Sequence, residues 1–328
     1  MLRSETAADP SRMRTALAGL RRYQEAEREP VPPPMPALAE RHGATLRDYG
    51  GDGPPVLFIP SLINPPNVLD MNGRSLLRWL VGQGRRVLLL DWGWPGLDRR
   101  AMSVAGHVED IALPLTQGLG EPVDLVGYCL GGTMALAAAR LGPVRSVATI
   151  AAPWHFNGFP EESRERLAAL WAGAQGTVAA LGVLPMEILQ SAFWSLDPAR
   201  TIAKFEDFAS LEGEAARTFV RLEDWANDGP PVAEAAAREM FESLFRDDLP
   251  GTGRWRVGGE IVDPESLPIP FLNIVSTTDR IVPHATAAHA GERLDLALGH
   301  VGMVVGSKGR TALWEPLAGW LSRAAAKC

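Results

Sequence analysis

The chain has 328 residues, 46% hydrophobic and 22% charged, enough apolar chain to bury a large core and too little polar excess for extensive disorder. A formal net charge of -7 excludes a nucleic-acid surface, which needs a broad excess of Lys and Arg to meet phosphates. Two cysteines, Cys129 and Cys328, make no disulfide framework; the N-terminus lacks an apolar signal segment, and Arg140, Pro143 and Arg145 interrupt the best apolar run, so a cytoplasmic protein without integral membrane association is expected.

In chain order, residues 11–27 place Met13, Leu17, Leu20 and Tyr23 at helical spacing, and the prolines of the following EPVPPPMP end that helix. From Pro55 the rhythm changes. Short apolar runs, Val56–Ile59, Val87–Leu90, Leu125–Val126 and Val147–Ile150, alternate with amphipathic stretches of helix length, as in parallel strands buried on both faces. The alternation stops near Trp154 and resumes at Phe271–Val275, leaving roughly a hundred residues that read as helices without strands. The organisation expected is an N-terminal helix and Pro-rich tether (1–45), a first core segment (46–153), an inserted helical cap (154–265) and a second core segment (266–328). The fold class is α/β, with a doubly wound, mostly parallel sheet.

Between an apolar strand and an Ala-rich helix lies Gly127-Tyr128-Cys129-Leu130-Gly131-Gly132. This is a nucleophile elbow with Cys in place of Ser, and it points to the α/β-hydrolase fold. Glycines flank the turn because neighbouring backbone comes too close for a Cβ, and the helix N-terminus aims free N–H groups at a reacting carbonyl. A lone Cys is ordinarily a small buried hydrophobe, but the apex of such an elbow is no place for a core residue. Cys129 is therefore the candidate nucleophile and the Leu130 N–H one oxyanion donor. No phosphate-loop pattern is present.

In this fold the acid and the histidine follow the nucleophile along the chain. Asp279 follows the strand Phe271–Val275 and precedes Arg280-Ile281-Val282-Pro283, a turn expected to start a helix that would hold His284 and His289. His300 sits in the loop Gly299-His300-Val301-Gly302 before a last helix around Leu313–Leu321. His42 comes too early, His107 lies in a helix-like run, and His155 opens the cap and is the fallback. The second oxyanion donor is expected in the loop after Ile59, at the Leu62 N–H. No Cys/His pair shows metal-ligand spacing.

Taken together, Ile59-Pro60-Ser61-Leu62-Ile63-Asn64, Val68-Leu69-Asp70, Leu90-Asp91-Trp92-Gly93, the elbow, DRIVP and GHVGM make the chain from about residue 55 onward resemble the polyhydroxyalkanoate synthase family, particularly its short catalytic subunits. The resemblance implies an acyltransferase: Cys129 carries the acyl group, His300 is the base, and Asp279 acts on His300 or on the incoming hydroxyl. It implies no tightly bound cofactor, coenzyme A entering as part of a 3-hydroxyacyl thioester. It also implies a polyester product at cytoplasmic granules, with a second synthase subunit or a homodimer as partner. Pro65-Pro66-Asn67 and Arg280 depart from the family's usual residues.

A thiolate suits this chemistry because sulfur-to-sulfur acyl exchange is close to balanced and the acyl-enzyme stays reactive. A hydroxyl attacking the acyl-enzyme would extend a polyester; water would make the chain a polyhydroxyalkanoate depolymerase or thioesterase with the same triad, the alternative reading. Trp171, Trp194 and Trp225 read as core or as an acyl channel. Arg85, Arg86, Arg99 and Arg100 read as a solvated face, with phosphate contact as the other option.

Overall fold

The computed structural model describes residues 2–326; Cys328 lies outside the described residues. Two compact units emerge, one made of the chain up to Pro33 together with Met186–Gly229, the other of Pro34–Pro185 and the chain from Pro230 onward.

The larger unit is built on eight strands: β1 (Ala37–Arg41), β2 (Ala44–Asp48), β3 (Pro55–Ile59), β4 (Arg86–Asp91), β5 (Val123–Tyr128), β6 (Val144–Ile150), β7 (Phe271–Ser276) and β8 (Glu292–Leu296). They lie in the order β1-β2-β4-β3-β5-β6-β7-β8. β1 and β2 form an antiparallel hairpin, β2 pairs antiparallel with β4, and every pairing from β4 to β8 is parallel. This is the doubly wound sheet expected from the alternating apolar runs. The strands β3, β5 and β7 are buried at every residue, which is why they read as unbroken apolar segments rather than alternating ones.

Because the central strands are parallel, their C-terminal ends share one edge, and the loops leaving β3, β4, β5, β6 and β7 all open there. The helix after β5, α1 (Leu130–Leu141), is buried along most of its length beneath that edge. At the opposite end of β5, Asp124 is fully buried and accepts from Arg145 Nε and Nη2 at 3.0 and 2.8 Å, from Ser146 Oγ at 2.7 Å and from Arg85 Nη1 at 3.5 Å. Arg85 is therefore not part of a solvated face. Arg99 is not either, since it too is buried. Guanidinium groups enter a sheet protein when buried acceptors await them, and a run of Arg in sequence does not reveal acceptors.

Between β6 and β7 the larger unit holds α2 (Glu161–Leu181) and a helical stretch from Glu234 to Arg246. Trp171 stacks on Phe241 with 5.2 Å between centroids and donates to Glu242 at 2.9 Å, a core arrangement. The segment is not free of strands: Val183–Leu184 pairs with Val232–Ala233, and Arg256–Val257 pairs with Glu260–Ile261 around Gly258 and Gly259. These ladders are two residues long, too short to register as a periodicity.

The smaller unit joins the N-terminal helix Pro10–Glu25, capped by Asp9 on the Ser11 N–H, to three helices, Met186–Leu196, Pro198–Phe208 and Gly213–Asn227. Gly19 lets the first approach the third chain segment closely, since a Cβ there would lie 1.8 Å from the Phe205 carbonyl oxygen. Tyr23 donates to Asp224 at 2.6 Å and Arg12 pairs with Glu206 at 2.9 Å. The stretch expected as one cap is thus shared between the two units, because the N-terminal helix supplies the apolar face on which Pro198–Phe208 packs.

Candidate active site

Strand β5 ends at Tyr128 and α1 starts at Leu130, so Cys129 alone makes the turn. Its backbone sits at φ 57 and ψ -132, a conformation that costs a non-glycine residue about 1–3 kcal/mol and persists only when the surroundings impose it. They do so at both ends: the Cys129 N–H donates to the Ile150 carbonyl at 2.9 Å, and its own carbonyl accepts from Gly132 at 2.8 Å. The glycines are steric necessities. A Cβ on Gly127 would lie 2.3 Å from Gly132 Cα, and one on Gly131 would lie 2.1 Å from the Ile59 carbonyl oxygen and 2.5 Å from that of Pro60. The second approach also sets Pro60, the first residue after β3 and two positions before Leu62, against the first turn of α1. Cys129 is half-buried, Leu130 and Leu62 buried.

Asp279 leaves the end of β7 through Ser276, whose hydroxyl accepts from the Thr278 N–H at 3.2 Å. Its Oδ1 accepts from the N–H groups of Ile281 and Val282 at 2.7 and 3.0 Å. Both bonds orient the carboxylate and leave Oδ2 for His300 Nδ1, 2.6 Å away. Both side chains of this pair are almost wholly buried. Cys129 acts electrostatically on the same imidazole. Burial by itself would push the imidazole toward its neutral form, but the charge of Cys129, the hydrogen bonds to Asp279 and Cys129 and the charge of Asp279 prevail and raise its pKa to about 10.

The structure therefore brings Cys129, His300 and Asp279 to one place at the C-terminal edge of the sheet, with Leu130 at the start of α1 beside the loop holding Leu62. The ring of the fallback histidine, His155, is stacked on that of His289, with centroids 4.2 Å apart. The helix expected after Asp279 is a correction: only a single turn, His284–Thr286, forms, and His289 falls beyond it. The Thr286 carbonyl is already engaged by the N–H groups of Trp154 and His155 at 2.7 and 2.9 Å, so it cannot serve a continuing helix. No group of three or more His, Cys, Asp or Glu among the described residues could hold a metal.

Tyr128 has a part that the sequence did not single out. Its ring lies against that of His300, centroids 5.0 Å apart, and its hydroxyl donates to the His300 carbonyl at 3.3 Å. Burial, with the charges of Cys129 and Asp279, drives the phenol far above its ordinary pKa, so it stays neutral. Its place next to the nucleophile was the available signal, but an aromatic ahead of an elbow Cys reads equally as strand core.

A family model described as the alpha/beta hydrolase fold matches residues 54–304. The chain belongs to this family. This hydrolase-fold chain is similar to the poly(3-hydroxyalkanoate) polymerase subunit PhaC of Haloferax mediterranei, 28% identical over 292 residues that make up 82% of this chain and 58% of that one. It is similar also to the subunit of the same name from Synechocystis, 29% identical over 295 residues, 82% of this chain and 77% of that one. These relatives agree with the resemblance to polyhydroxyalkanoate synthases carried by the motifs; against the Haloferax subunit, the match spans little more than half of the relative's length. Among solved structures, the monoacylglycerol lipase of Paleococcus ferrophilus aligns with a TM-score of 0.54 at 15% identity, covering 85% of this chain and 99% of that one, a likeness of fold.

Proposed function

We propose that the chain is a polyhydroxyalkanoate synthase-type acyltransferase that moves 3-hydroxyacyl groups from coenzyme A to a growing polyester through a thioester on Cys129. The observation that carries this reading is the His300 imidazole, 2.6 Å from Asp279 Oδ2 and under the electrostatic influence of Cys129 at the apex of the elbow. The similarity to named polymerase subunits supplies the substrate class.

In the first half-reaction His300 takes the Cys129 proton on the nitrogen opposite Asp279, and the thiolate adds to the thioester carbonyl. The new C–S bond leaves an oxyanion, for which the Leu130 and Leu62 N–H groups are the donors. Collapse breaks the bond to coenzyme A, whose sulfur leaves with the proton from His300. In the second half-reaction His300 takes the proton of a 3-hydroxyl group; that oxygen attacks the acyl-Cys129 carbonyl, and the proton returns to the Cys129 sulfur as the ester forms. Asp279 holds His300 in one tautomer throughout and stabilises the imidazolium. Coenzyme A enters and leaves as part of the substrate.

The reading carries with it a cytoplasmic enzyme working at polyester granules, alongside a second synthase subunit or a second copy of itself. No helix among the described residues is long and apolar enough to cross a membrane. The test is product analysis after incubation with 3-hydroxybutyryl-coenzyme A, with and without candidate second subunits. Polyester with stoichiometric coenzyme A is expected. Coenzyme A accompanied only by monomeric hydroxy acid would mean that water is the acceptor and the chain a thioesterase or depolymerase.

A further inference from the structure

The loop that leaves β4 at the same edge as Cys129 reads Asp91-Trp92-Gly93-Trp94-Pro95-Gly96-Leu97-Asp98-Arg99. Trp92 is buried, and its Nε1 donates to the Pro60 carbonyl at 2.9 Å, tying the loop's root to the segment that holds Leu62. Two residues later the chain does the opposite: Trp94 is 71% and Leu97 77% exposed. Scattered apolar side chains on a surface need no explanation, but these two sit on a loop that is braced from three directions.

Arg99 is buried and donates to the Trp92 carbonyl at 2.5 Å and to His107 Nε2 at 3.0 Å. His107 can accept because its Nδ1 donates to the Ser103 carbonyl at 2.7 Å. From the β1–β2 turn, His42 Nδ1 meets Asp98 Oδ2 at 2.8 Å. Gly93, at φ 58, lets the same turn press in, since a Cβ there would lie 2.6 Å from the Gly43 carbonyl oxygen. Burying a guanidinium on two neutral acceptors is costly, and here it fixes a loop whose tip is a tryptophan and a leucine in water. A fixed tip loses little conformational entropy when it inserts into something.

We propose that Trp94 and Leu97 form a rigid apolar anchor that seats this enzyme on the surface of amorphous polyester, with Cys129 facing the same side. The identity of the occupant rests on the function proposed above, which places such a phase at the enzyme. Geometry favours it independently of any protein partner. Two side chains on one short loop offer far less than the about 800 Å² per side of a stable protein interface, whereas an amorphous apolar phase requires no matching shape. Tryptophan suits the boundary, since its ring is apolar and its N–H can face water. β4 is separated from β5 only by β3, so at about 4.8 Å per strand the loop's root stands about 10 Å from the nucleophile's strand, close enough for chain leaving the site to join the anchored phase.

The test compares the full chain with Trp94→Ser/Leu97→Ser for sedimentation with preformed amorphous poly(3-hydroxybutyrate) particles, for sedimentation with phosphatidylcholine vesicles, and for coenzyme A release from soluble 3-hydroxybutyryl-coenzyme A. The double variant is expected to partition onto the particles about thirtyfold or more less, from two partly inserted apolar side chains, with its melting temperature and its soluble turnover unchanged. Equal partitioning would overturn the proposal. So would wild-type binding to vesicles as strong as to polyester, which would make the occupant lipid, or loss of a dimer in the variant, which would make it a second copy. Particle binding needs no turnover, so an inactive chain that still loses its particles on substitution refutes the chemistry and keeps the anchor, while an active one that does not refutes the anchor alone.

Discussion

At the start of β5, Asp124 is sealed among Arg85, Arg145 and Ser146, with acceptor positions on both oxygens taken. Five residues on, where the same strand gives way to α1, Cys129 is only half-buried, with His300 and Asp279 as its charged partners. Both clusters bury ionisable groups in one unit on one strand. The first satisfies every group and can only hold the sheet together; the second orients its members through backbone N–H groups on Asp279 and the Tyr128 ring tilted against His300, and leaves Cys129 partly exposed. What separates a structural charge cluster from a catalytic one here is a thiol-bearing residue left partly exposed at the turn, not the burial of its charged partners.

Substitutions at the two ends should therefore fail in different ways. The largest effect is expected at the open end: Cys129→Ala or His300→Gln should lower the rate of coenzyme A release at least about ten-thousandfold while leaving the melting temperature nearly unchanged, because members of such a set act as a unit. Stopped assays and thermal melts on the same preparations check both halves. At the sealed end, Asp124→Ala should cost about 3–5 kcal/mol in denaturant unfolding, since two guanidinium groups would lose their buried carboxylate. Whatever protein remains folded should turn over at close to the normal rate.

Asp279→Asn is expected to fall between, with about a hundredfold slower acylation, less than loss of His300 because the base itself remains. It should also move the His300 titration below about 10, the value set with Asp279 in place, and imidazole NMR reads that directly. A smaller effect tests the brace behind Trp94. Burial and the nearby Arg99 charge lower the His107 pKa to about 4, below its ordinary value near 6.5, so the folded state binds this proton less readily than the unfolded one. The corresponding stability is present above about pH 6.5 and is lost as pH falls through about 4. In His107→Gln, unfolding free energies measured across that window should lose part of their slope.

Much of this site could be read in the sequence because its parts are enforced by local geometry. Gly127 and Gly131 are dictated by backbone contacts that no side chain survives, and the order of Cys129, Asp279 and His300 follows from which strand ends share an edge. The parallel strands were legible because burial on both faces removes polar residues from them altogether. What the sequence hid depends on which acceptors and donors the folded chain brings alongside each residue. Arg85 and Arg99 look like surface until Asp124 and the Trp92 carbonyl are placed beside them, and the helix expected at His284 stops because residues more than a hundred positions earlier claim the Thr286 carbonyl. The pairing of the N-terminal helix with Pro198–Phe208 likewise turns on Gly19, whose need is visible only once Phe205 lies across it.

The most direct measurement is acid-quenched mass spectrometry of the wild-type chain mixed with 3-hydroxybutyryl-coenzyme A, followed by peptide mapping. A hydroxybutyryl group, or a short chain of them, is predicted on the peptide that carries Cys129 and nowhere in the Cys129→Ala protein. Acyl groups found on another residue, with labelling that persists when the sulfur is removed, would contradict the account.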